Sequence, residues 1–306
     1  MRGRVIRSTG SWYTVKTVNQ QVMECKIKGK FRLKSGLRAT NPVAVGDWVE
    51  VAADQDDTPV IYELEDRQNY LIRKSTKLSK AVQIIAANLD QVVLVCSIVS
   101  PAVKTGFIDR FLAMAEAYSI PALLVFSKAD LYTDADWDKL AELGMIYENI
   151  GITCKAASAL DGKGVEGIRE LLKGKTSLVS GQSGVGKSTL VNALEPGLEL
   201  RTADISEFNE KGKHTTTFAE MFDLSFGGHI IDTPGIRSFG LVELEKEELF
   251  HFFPELFAAA EDCRFHNCVH INEPGCAVKT AVEEGSIPAS RYQSYYYLYH
   301  DEDYES

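Results

Sequence analysis

The sequence predicts a multidomain α/β protein, because three residue patterns follow one another along its 306 residues. Short alternating strands dominate the start, buried strands alternate with helices in the middle, and a helical segment with clustered cysteines ends the chain. We predict three domains: a β-barrel over residues 1–72, an α/β domain over residues 78–240 and a helical domain over residues 241–306.

The first domain is predicted to consist of short strands without a helix. Runs that alternate or are rich in β-branched residues are separated by turn residues, and they cover residues 3–7, 12–18, 21–27, 46–51 and 60–64. Five strands in so short a segment are typical of the OB-fold, a barrel that often binds nucleic acids. The step from this fold to RNA binding is an analogy of architecture.

Charge is distributed unevenly along the chain. The total is −10, but residues 1–38 hold ten lysines and arginines against one glutamate, a net charge of +9. A basic N-terminal segment in an otherwise acidic chain indicates a local contact with a polyanion. A solvated strand face is the alternative, and charge alone does not choose between the two.

No apolar run is long enough to span a membrane, and no apolar signal core follows the basic residues 1–7. We therefore expect a cytoplasmic protein that contacts no membrane.

The middle of the chain alternates between strands and helices. Strands are predicted at residues 91–96, 121–126, 146–154 and 176–180, and helices at 107–119, 134–143 and 165–173. Continuous apolar strands of this kind are buried on both faces, so the pattern predicts a doubly wound parallel sheet.

Residues 181–188 match the phosphate-binding pattern G-x-x-x-x-G-K-S between a strand and a helix. The glycines let backbone N–H groups surround a phosphate, Lys187 reaches its oxygens, and the Ser188 hydroxyl is offered to Mg²⁺. The predicted loop residues are Gly181, Gln182, Ser183, Gly184, Val185, Gly186, Lys187, Ser188 and Thr189.

Two later segments supply the expected switch elements. Asp232 and Gly235 belong to a D-x-P-G segment after the strand at 228–231, which places an acid near Mg²⁺ and an N–H near the γ-phosphate. Thr216 lies in the threonine-rich segment 212–217 and is predicted to complete the magnesium shell with Ser188 and Asp232. A solvent-exposed turn is the alternative for that segment.

Residues 127–130 favour guanine over adenine. Ser127, Lys128, Ala129 and Asp130 resemble the N/T-K-x-D motif, in which the aspartate accepts from guanine N1–H and the exocyclic amine. Ser127 replaces the usual Asn or Thr, so one structural hydrogen bond is not assured. Ser158 and Ala159 resemble the segment whose backbone contacts the guanine oxygen. Ordinary loops are the alternative for both segments when each is taken alone.

The order of these segments is unusual for a GTPase, because the base-reading residues precede the phosphate loop. The same site forms if the α/β domain is circularly permuted. Such a permutation would place the chain that leaves the switch strand next to the C-terminal segment, which could then receive the nucleotide state directly.

The C-terminal segment carries three cysteines and one histidine within fourteen residues: Cys263, Cys268, His270 and Cys276. This is the ligand set of a closed structural zinc site, although the spacing differs from that of common zinc fingers. Buried cysteines beside an exposed histidine are the alternative. Cys25, Cys96 and Cys154 lie in predicted strands and are expected to be core residues.

Together these features resemble the RsgA (YjeQ) family of circularly permuted GTPases over nearly the whole chain. The matching segments are residues 81–91, 181–189, 213–217, 232–237 and the terminal Cys/His cluster. The resemblance implies an OB domain that faces rRNA, a permuted GTPase domain and a zinc domain. It also implies late maturation of the small ribosomal subunit, with GTP hydrolysis to GDP stimulated by that subunit. We expect Mg²⁺ with GTP, one structural zinc ion and a monomeric protein.

Hydrolysis must proceed without the glutamine that follows D-x-x-G in many GTPases, since that position is Ile236. We predict slow intrinsic turnover and name His214 as the candidate catalytic residue beside Lys187. An exposed histidine without a catalytic task is the alternative.

Two other functions fit the same motifs. One is an RNA-binding scaffold whose affinity is gated by GTP and whose turnover is incidental. The other is a P-loop ATPase in which the segment 127–130 has no base-reading role.

Overall fold

The computed structural model describes residues 1–28, 41–54, 56–74, 82–198, 219–233 and 245–300. The strands are β1 (Arg2–Ser8), β2 (Tyr13–Thr17), β3 (Val22–Ile27), β4 (Trp48–Ala53), β5 (Pro59–Leu64), β6 (Tyr70–Lys74), β7 (Val82–Ala87), β8 (Gln91–Cys96), β9 (Ala122–Phe126), β10 (Thr153–Ala156), β11 (Thr176–Gly181), β12 (Glu220–Asp223) and β13 (His229–Asp232). The helices are α1 (Thr105–Ala117), α2 (Asp134–Glu148), α3 (Val165–Leu172), α4 (Lys187–Leu194), α5 (Pro254–Ala260), α6 (Ala277–Glu283) and α7 (Ala289–His300), and 3₁₀ helices cover Ala129–Leu131, Pro196–Leu198 and Lys246–Phe252.

The N-terminal strands form the predicted five-stranded barrel. Neighbouring strands pair in the order β1-β2-β3-β5-β4, and pairing of β4 with β1 closes the barrel. Alternate side chains of each strand point inward, and they fill a core that includes Val5, Tyr13, Val15, Cys25 and Ile61. The OB-like architecture is therefore confirmed.

The central domain is the predicted α/β sheet. Strands β10, β9, β8, β11 and β13 are parallel and neighbour one another in that order, while β12 runs antiparallel at the β13 edge. Every residue of β8 is buried, because helices and loops cover both faces of the sheet.

One predicted strand was partly wrong. We predicted a strand over 146–154, but α2 continues to Glu148 and β10 begins only at Thr153. Tyr147 is buried on α2, and its hydroxyl donates to Asp109 of α1 at 3.0 Å. That tertiary contact favours the helix over the strand that the apolar residues suggested locally. Gly151, with a φ of 83°, turns the chain into β10.

The barrel and the central sheet are joined. A single antiparallel pair, Arg7 with Glu220, connects β1 to β12, so that one sheet of eleven strands runs through the described part of both domains. Lys16 of β2 is ion-paired with Asp223 of β12, whose carboxylate also contacts His229 of β13.

Asn88, at the junction after β7, adds further bonds between the two domains. Its side chain donates to the Gly46 carbonyl at 3.1 Å and accepts from the Gln68 N–H at 2.9 Å. The Arg4 guanidinium donates to the carbonyl oxygens of Asn88 and Gly46 at 3.1 and 3.2 Å. Asn88, which belongs to the segment 81–91 of the family resemblance, therefore helps to hold the two domains together.

The C-terminal helices pack against α1 of the central domain around buried charges. Arg291 of α7 donates to Asp109 of α1 at 2.7 Å and to Glu255 of α5 at 2.6 Å. Asp109 also accepts from Ser294, and it is fully buried with its arginine partner. Burial raises the pKa of Asp109, and the Arg291 charge opposes that rise. Within the described residues, no helix is long and apolar enough to cross a membrane.

Candidate nucleotide site and metal centre

The phosphate loop lies where the central strand β11 ends and α4 begins. A Cβ atom on Gly181 would come within 2.3 Å of the Val95 carbonyl oxygen on β8, so only glycine fits this approach. Gly186 has a φ of 88°, a left-handed conformation that glycine adopts readily, and it directly precedes α4. The backbone of the loop thus lies at the positive end of a helix and at the carboxyl ends of parallel strands.

The remaining loop residues occupy the expected positions between the strand and the helix. The Val185 side chain is buried in the core of the central domain. The turn consists of Gln182, Ser183, Gly184 and Val185, and the first turn of α4 holds Lys187, Ser188 and Thr189.

Lys187 and Asp232 are in direct contact. Lys187 Nζ donates to Asp232 Oδ1 at 2.5 Å, and both side chains are largely buried. Asp232 is the last residue of β13, which runs parallel to β11. The candidate phosphate-binding cation and the candidate magnesium ligand therefore lie within one hydrogen bond of each other.

The candidate base-reading segment follows β9 and is bonded to the phosphate loop. Ser127 is buried, and its Oγ lies 2.5 Å from the Val185 carbonyl oxygen and 3.0 Å from that of Cys96. The hydroxyl has one proton and can donate to only one of these carbonyls at a time. Serine, although shorter than asparagine, thus reaches the loop at this position.

Lys128 makes a second link between the same two segments. Its φ is 60°, and its Nζ donates to the carbonyl oxygens of Gly184 at 2.7 Å and Ser100 at 2.5 Å. The stem of Lys128 passes the loop, since a Cβ on Gly186 would lie 3.6 Å from Lys128 Cε. The two candidate nucleotide-binding segments therefore share one surface.

The segment at 157–160 lies beside this surface. The Ala129 N–H donates to the Ala157 carbonyl at 3.1 Å, and the Ser158 hydroxyl accepts from the N–H groups of Leu160 and Asp161, both at 3.2 Å. Ser158 is fully buried, Ala159 is half-buried and the Asp130 carboxylate is exposed. The exposed carboxylate leaves Asp130 accessible to a base.

Three of the predicted site residues lie outside the described residues: His214, Thr216 and Gly235.

Three thiols and one imidazole converge in the C-terminal domain. The ligand atoms of Cys263, Cys268, His270 and Cys276 all lie within 4.8 Å of one another. His270 Nδ1 is 3.4 Å from Cys276 Sγ and 3.6 Å from Cys263 Sγ, and these two sulfur atoms are 4.0 Å apart. Zinc bonds of about 2.3 Å to sulfur and 2.0 Å to nitrogen give tetrahedral ligand separations of about 3.5–3.8 Å. The cluster fits such an ion, and the exposed His266 is not part of it.

The surroundings of the cluster also fit a metal. His270 is fully buried, and within the described part of the chain its Nε2 has no hydrogen-bond partner, while its ring meets Phe250 edge-on at 4.7 Å. Burial raises the pKa of the Cys268 thiol to about 12, and a divalent cation would hold that thiol as a thiolate near neutral pH. Four protein ligands leave no open position, the arrangement of structural sites.

Comparison with known proteins decides the family. The family model described as RsgA GTPase matches residues 64–242, and the model described as RsgA N-terminal domain matches residues 2–61. The chain belongs to the RsgA GTPase family.

Relatives within the RsgA family match along almost the entire chain. "Small ribosomal subunit biogenesis GTPase RsgA" of Bacteroides fragilis strain YCH46 is 55% identical over 99% of this chain and 97% of that protein. The protein of the same name from Flavobacterium psychrophilum is 52% identical over 96% of this chain and 91% of its own length.

Two solved structures share the fold. YjeQ from Thermotoga maritima is 36% identical with a TM-score of 0.79, covering 98% of this chain and 97% of its own. YloQ, titled a circularly permuted GTPase, is 32% identical with a TM-score of 0.73, covering 98% and 94%. The permuted order of the segments here, with β8–β10 before the phosphate loop, agrees with that description.

Two tyrosines of this RsgA-family chain support the metal cluster and were not predicted as site residues. The Tyr292 hydroxyl donates to the His270 carbonyl at 2.7 Å, and the Tyr295 hydroxyl donates to the Val269 carbonyl at 2.5 Å. Both residues lie on α7. Their spacing of three places both on one helix face, and that signal could have identified them.

Proposed function

We propose that this chain is a GTPase that acts in maturation of the small ribosomal subunit and whose turnover that subunit stimulates. The observation that carries the proposal is the bonding of the base-reading segment to the phosphate loop through Ser127 and Lys128. The printed names of relatives that match nearly the whole chain supply the ribosomal context.

Each part of the nucleotide is assigned to residues by its chemistry. Asp130 accepts from the guanine edge, the Lys128 stem covers the base, Ser127 and Ala129 fix this segment, and the backbone at Ser158 and Ala159 reaches the guanine oxygen. The phosphates are held by residues 181–189, with Lys187 at the β/γ oxygens and Gly235 near the γ-phosphate. Ser188, Asp232 and Thr216 would hold Mg²⁺, which would supply positive charge against the phosphates.

The contact between Lys187 and Asp232 supports this assignment. Both groups are charged and mostly buried, so each needs an opposite charge. A phosphate oxygen offers one to Lys187, and a divalent cation offers one to Asp232. GTP with Mg²⁺ can therefore replace the ion pair without leaving either charge unpaired.

His214 remains our candidate for orienting the attacking water, because Ile236 stands where a glutamine is common. The expected result is that His214→Ala loses most of the turnover stimulated by small subunits. The exposed His266 gives the matched control His266→Ala. Full stimulated turnover in His214→Ala would exclude this role.

For the RNA contact, we propose the exposed face of the barrel around Trp12 and Lys26. Trp12 is 40% exposed, and Lys26 Nζ lies 4.5 Å from its ring centre, which gives a stacking surface beside a positive charge. Three other basic residues of the barrel form ion pairs with acids: Arg2 with Glu65, Lys16 with Asp223 and Lys28 with Asp54. Lys30, Arg32, Lys34 and Arg38 lie outside the described residues.

For the remaining assignments, we propose that Cys263, Cys268, His270 and Cys276 hold one structural zinc ion. We retain the domain boundaries 1–72, 78–240 and 241–306, a monomeric state and a cytoplasmic location as parts of the same proposal. The 3.4–4.0 Å separations of the measured ligand pairs support zinc.

The deciding experiment is the rate of GTP hydrolysis with and without purified small subunits. Wild type is expected to turn over slowly alone and much faster with subunits, and Lys187→Ala is expected to lose both rates because it lacks the phosphate-binding cation. The exposed Lys173 gives the control Lys173→Ala. A single-turnover rate that subunits leave unchanged would favour the GTP-gated scaffold, and preferential hydrolysis of ATP would favour the P-loop ATPase.

A further inference from the structure

The loop that carries His270 is held by one carboxylate that is not itself a candidate metal ligand. Glu273 Oε1 accepts from the Val269 N–H at 3.0 Å, and Oε2 accepts from the N–H groups of Ile271 and Asn272 at 3.0 and 3.1 Å. These three bonds enclose His270, the one histidine of the cluster. A carboxylate suits this task because both of its oxygens accept and neither donates.

Carbonyl groups of the same loop accept hydrogen bonds from side chains of α6 and α7. The hydroxyls of Tyr295 and Tyr292 donate to the carbonyls of Val269 and His270, as described above, and Lys279 Nζ donates to the Ile271 carbonyl at 3.3 Å. Glu273 therefore accepts from three N–H groups of the loop, while side chains of α6 and α7 donate to three of its carbonyls.

His270 adopts a backbone conformation that needs this support. Its φ is 59°, in the left-handed region that few non-glycine residues occupy, although Asn, Asp and His do so more often than the others. In this conformation its Nδ1 lies 3.4 Å from Cys276 Sγ and 3.6 Å from Cys263 Sγ. The loop conformation sets the position of the imidazole relative to the thiols, and the three N–H bonds to Glu273 help to fix that conformation.

We propose that Glu273 is a positioning residue for the metal ligand His270: its carboxylate holds the 269–272 loop in the conformation that presents Nδ1 to the ion. This inference rests on the proposed zinc site and adds a residue that acts through a ligand. Hydrogen-bonded groups outside the ligand set typically change metal affinity by about 10–100-fold.

The test is zinc affinity of the full chain, measured by competition with a chromophoric chelator. Glu273→Gln replaces one accepting oxygen with an NH₂ donor that faces backbone N–H groups. It is expected to bind zinc about 10–100-fold more weakly than wild type. The control Glu283→Gln, an exposed glutamate of the neighbouring α6, is expected to match wild type. Binding of a fluorescent GDP analogue reports that the rest of the chain is folded.

A positioning role predicts that the loss depends on His270. In a His270→Ala background, Glu273→Gln should reduce zinc affinity no further, whereas a general effect on the domain would reduce it equally in both backgrounds and overturn the inference. Bound Co²⁺ should show a weaker tetrahedral absorption in Glu273→Gln than in wild type.

If Glu273→Gln does not fold, Tyr292→Phe, which removes only the hydroxyl bond to the His270 carbonyl, is measured in the same way. It should weaken zinc binding in the wild-type background alone, and equal losses in both backgrounds would overturn the inference. A wild-type chain that binds no zinc would refute the zinc proposal, whereas wild-type affinity in folded Glu273→Gln would refute this inference alone.

Discussion

Ser127 connects the candidate base-reading segment to the phosphate loop through one hydroxyl group. The group is buried between the Val185 and Cys96 carbonyl oxygens, at 2.5 and 3.0 Å. A buried carbonyl that loses its donor remains unsatisfied, which costs about 1–3 kcal/mol. The Ser127 hydroxyl therefore helps to set the spacing between the base and phosphate subsites, together with the Lys128 bond to the Gly184 carbonyl.

Ser127→Ala is expected to weaken binding of guanine nucleotides about tenfold, since the lost bond is worth roughly 1.4 kcal/mol. Equilibrium titration with a fluorescent GDP analogue measures the change. Ser127→Thr keeps the hydroxyl and should retain affinity close to that of wild type. An alanine variant with unchanged affinity would show that the contact does not support the site.

At the residue scale, the sequence predicted the groups whose motifs are local. The phosphate loop and the Cys/His cluster are each contiguous, so spacing alone could bring their residues together. The ion pair of Arg291 with Asp109 joins positions 182 residues apart and leaves no local signal. The contact of Lys128 with the Ser100 carbonyl could not be predicted either, because it depends on the relative position of two loops in the folded chain.

At the scale of elements, the C-terminal helices pack against α1. Its Asp109 is fully buried and receives bonds from Arg291, Ser294 and Tyr147. Arg291 also contacts Glu255 of α5, so one guanidinium ties three helices together. Removing one partner of such a buried pair leaves a charge without compensation.

Arg291→Met is expected to destabilise the protein by about 3–5 kcal/mol, because Asp109 and Glu255 lose their shared cation. Urea unfolding measures the loss. The control is Arg2→Met, which breaks the exposed ion pair with Glu65 and should leave stability close to that of wild type, because exposed ion pairs contribute little. If the two variants were equally stable, the buried network would not hold the helices together.

Some elements could not be predicted because local and tertiary preferences differ. Ile146 and Tyr147 fit a strand locally, but the Tyr147 hydroxyl bonds to Asp109 from α2. Strand β12 has four residues, too few for an alternation to be recognised, and its place is set by pairing with β13 and β1. The longer buried strands β8 and β9 were predicted from their composition.

At the scale of the whole molecule, the barrel and the GTPase domain are parts of one sheet. Strand β12, which joins them, leads directly into β13 and Asp232 of the candidate site. Lys16 and Asp223 add an ion pair across the same junction. The arrangement places a proposed RNA-binding surface and a nucleotide site on one continuous framework.

Trp12→Ala is expected to weaken binding to the small subunit by about 1–3 kcal/mol, the contribution of one base stacked on an aromatic ring. Basal GTP turnover should not change, because Trp12 lies in the barrel and outside the nucleotide site. Trp137→Ala is the matched control, since Trp137 is 44% exposed on α2 of the GTPase domain. If both variants bound the small subunit with equal affinity, Trp12 would not be part of the RNA contact.

The most direct test of the account is base selectivity at Asp130. Guanine presents two donors to a carboxylate, whereas xanthine presents one donor and one acceptor, which suits an amide. Asp130→Asn should therefore bind GTP about 100-fold more weakly and gain affinity for xanthosine triphosphate, while Asp134→Asn on α2 should behave as wild type. Unchanged GTP affinity in Asp130→Asn, or ATP binding equal to GTP in wild type, would contradict a guanine-nucleotide site built from segments in permuted order.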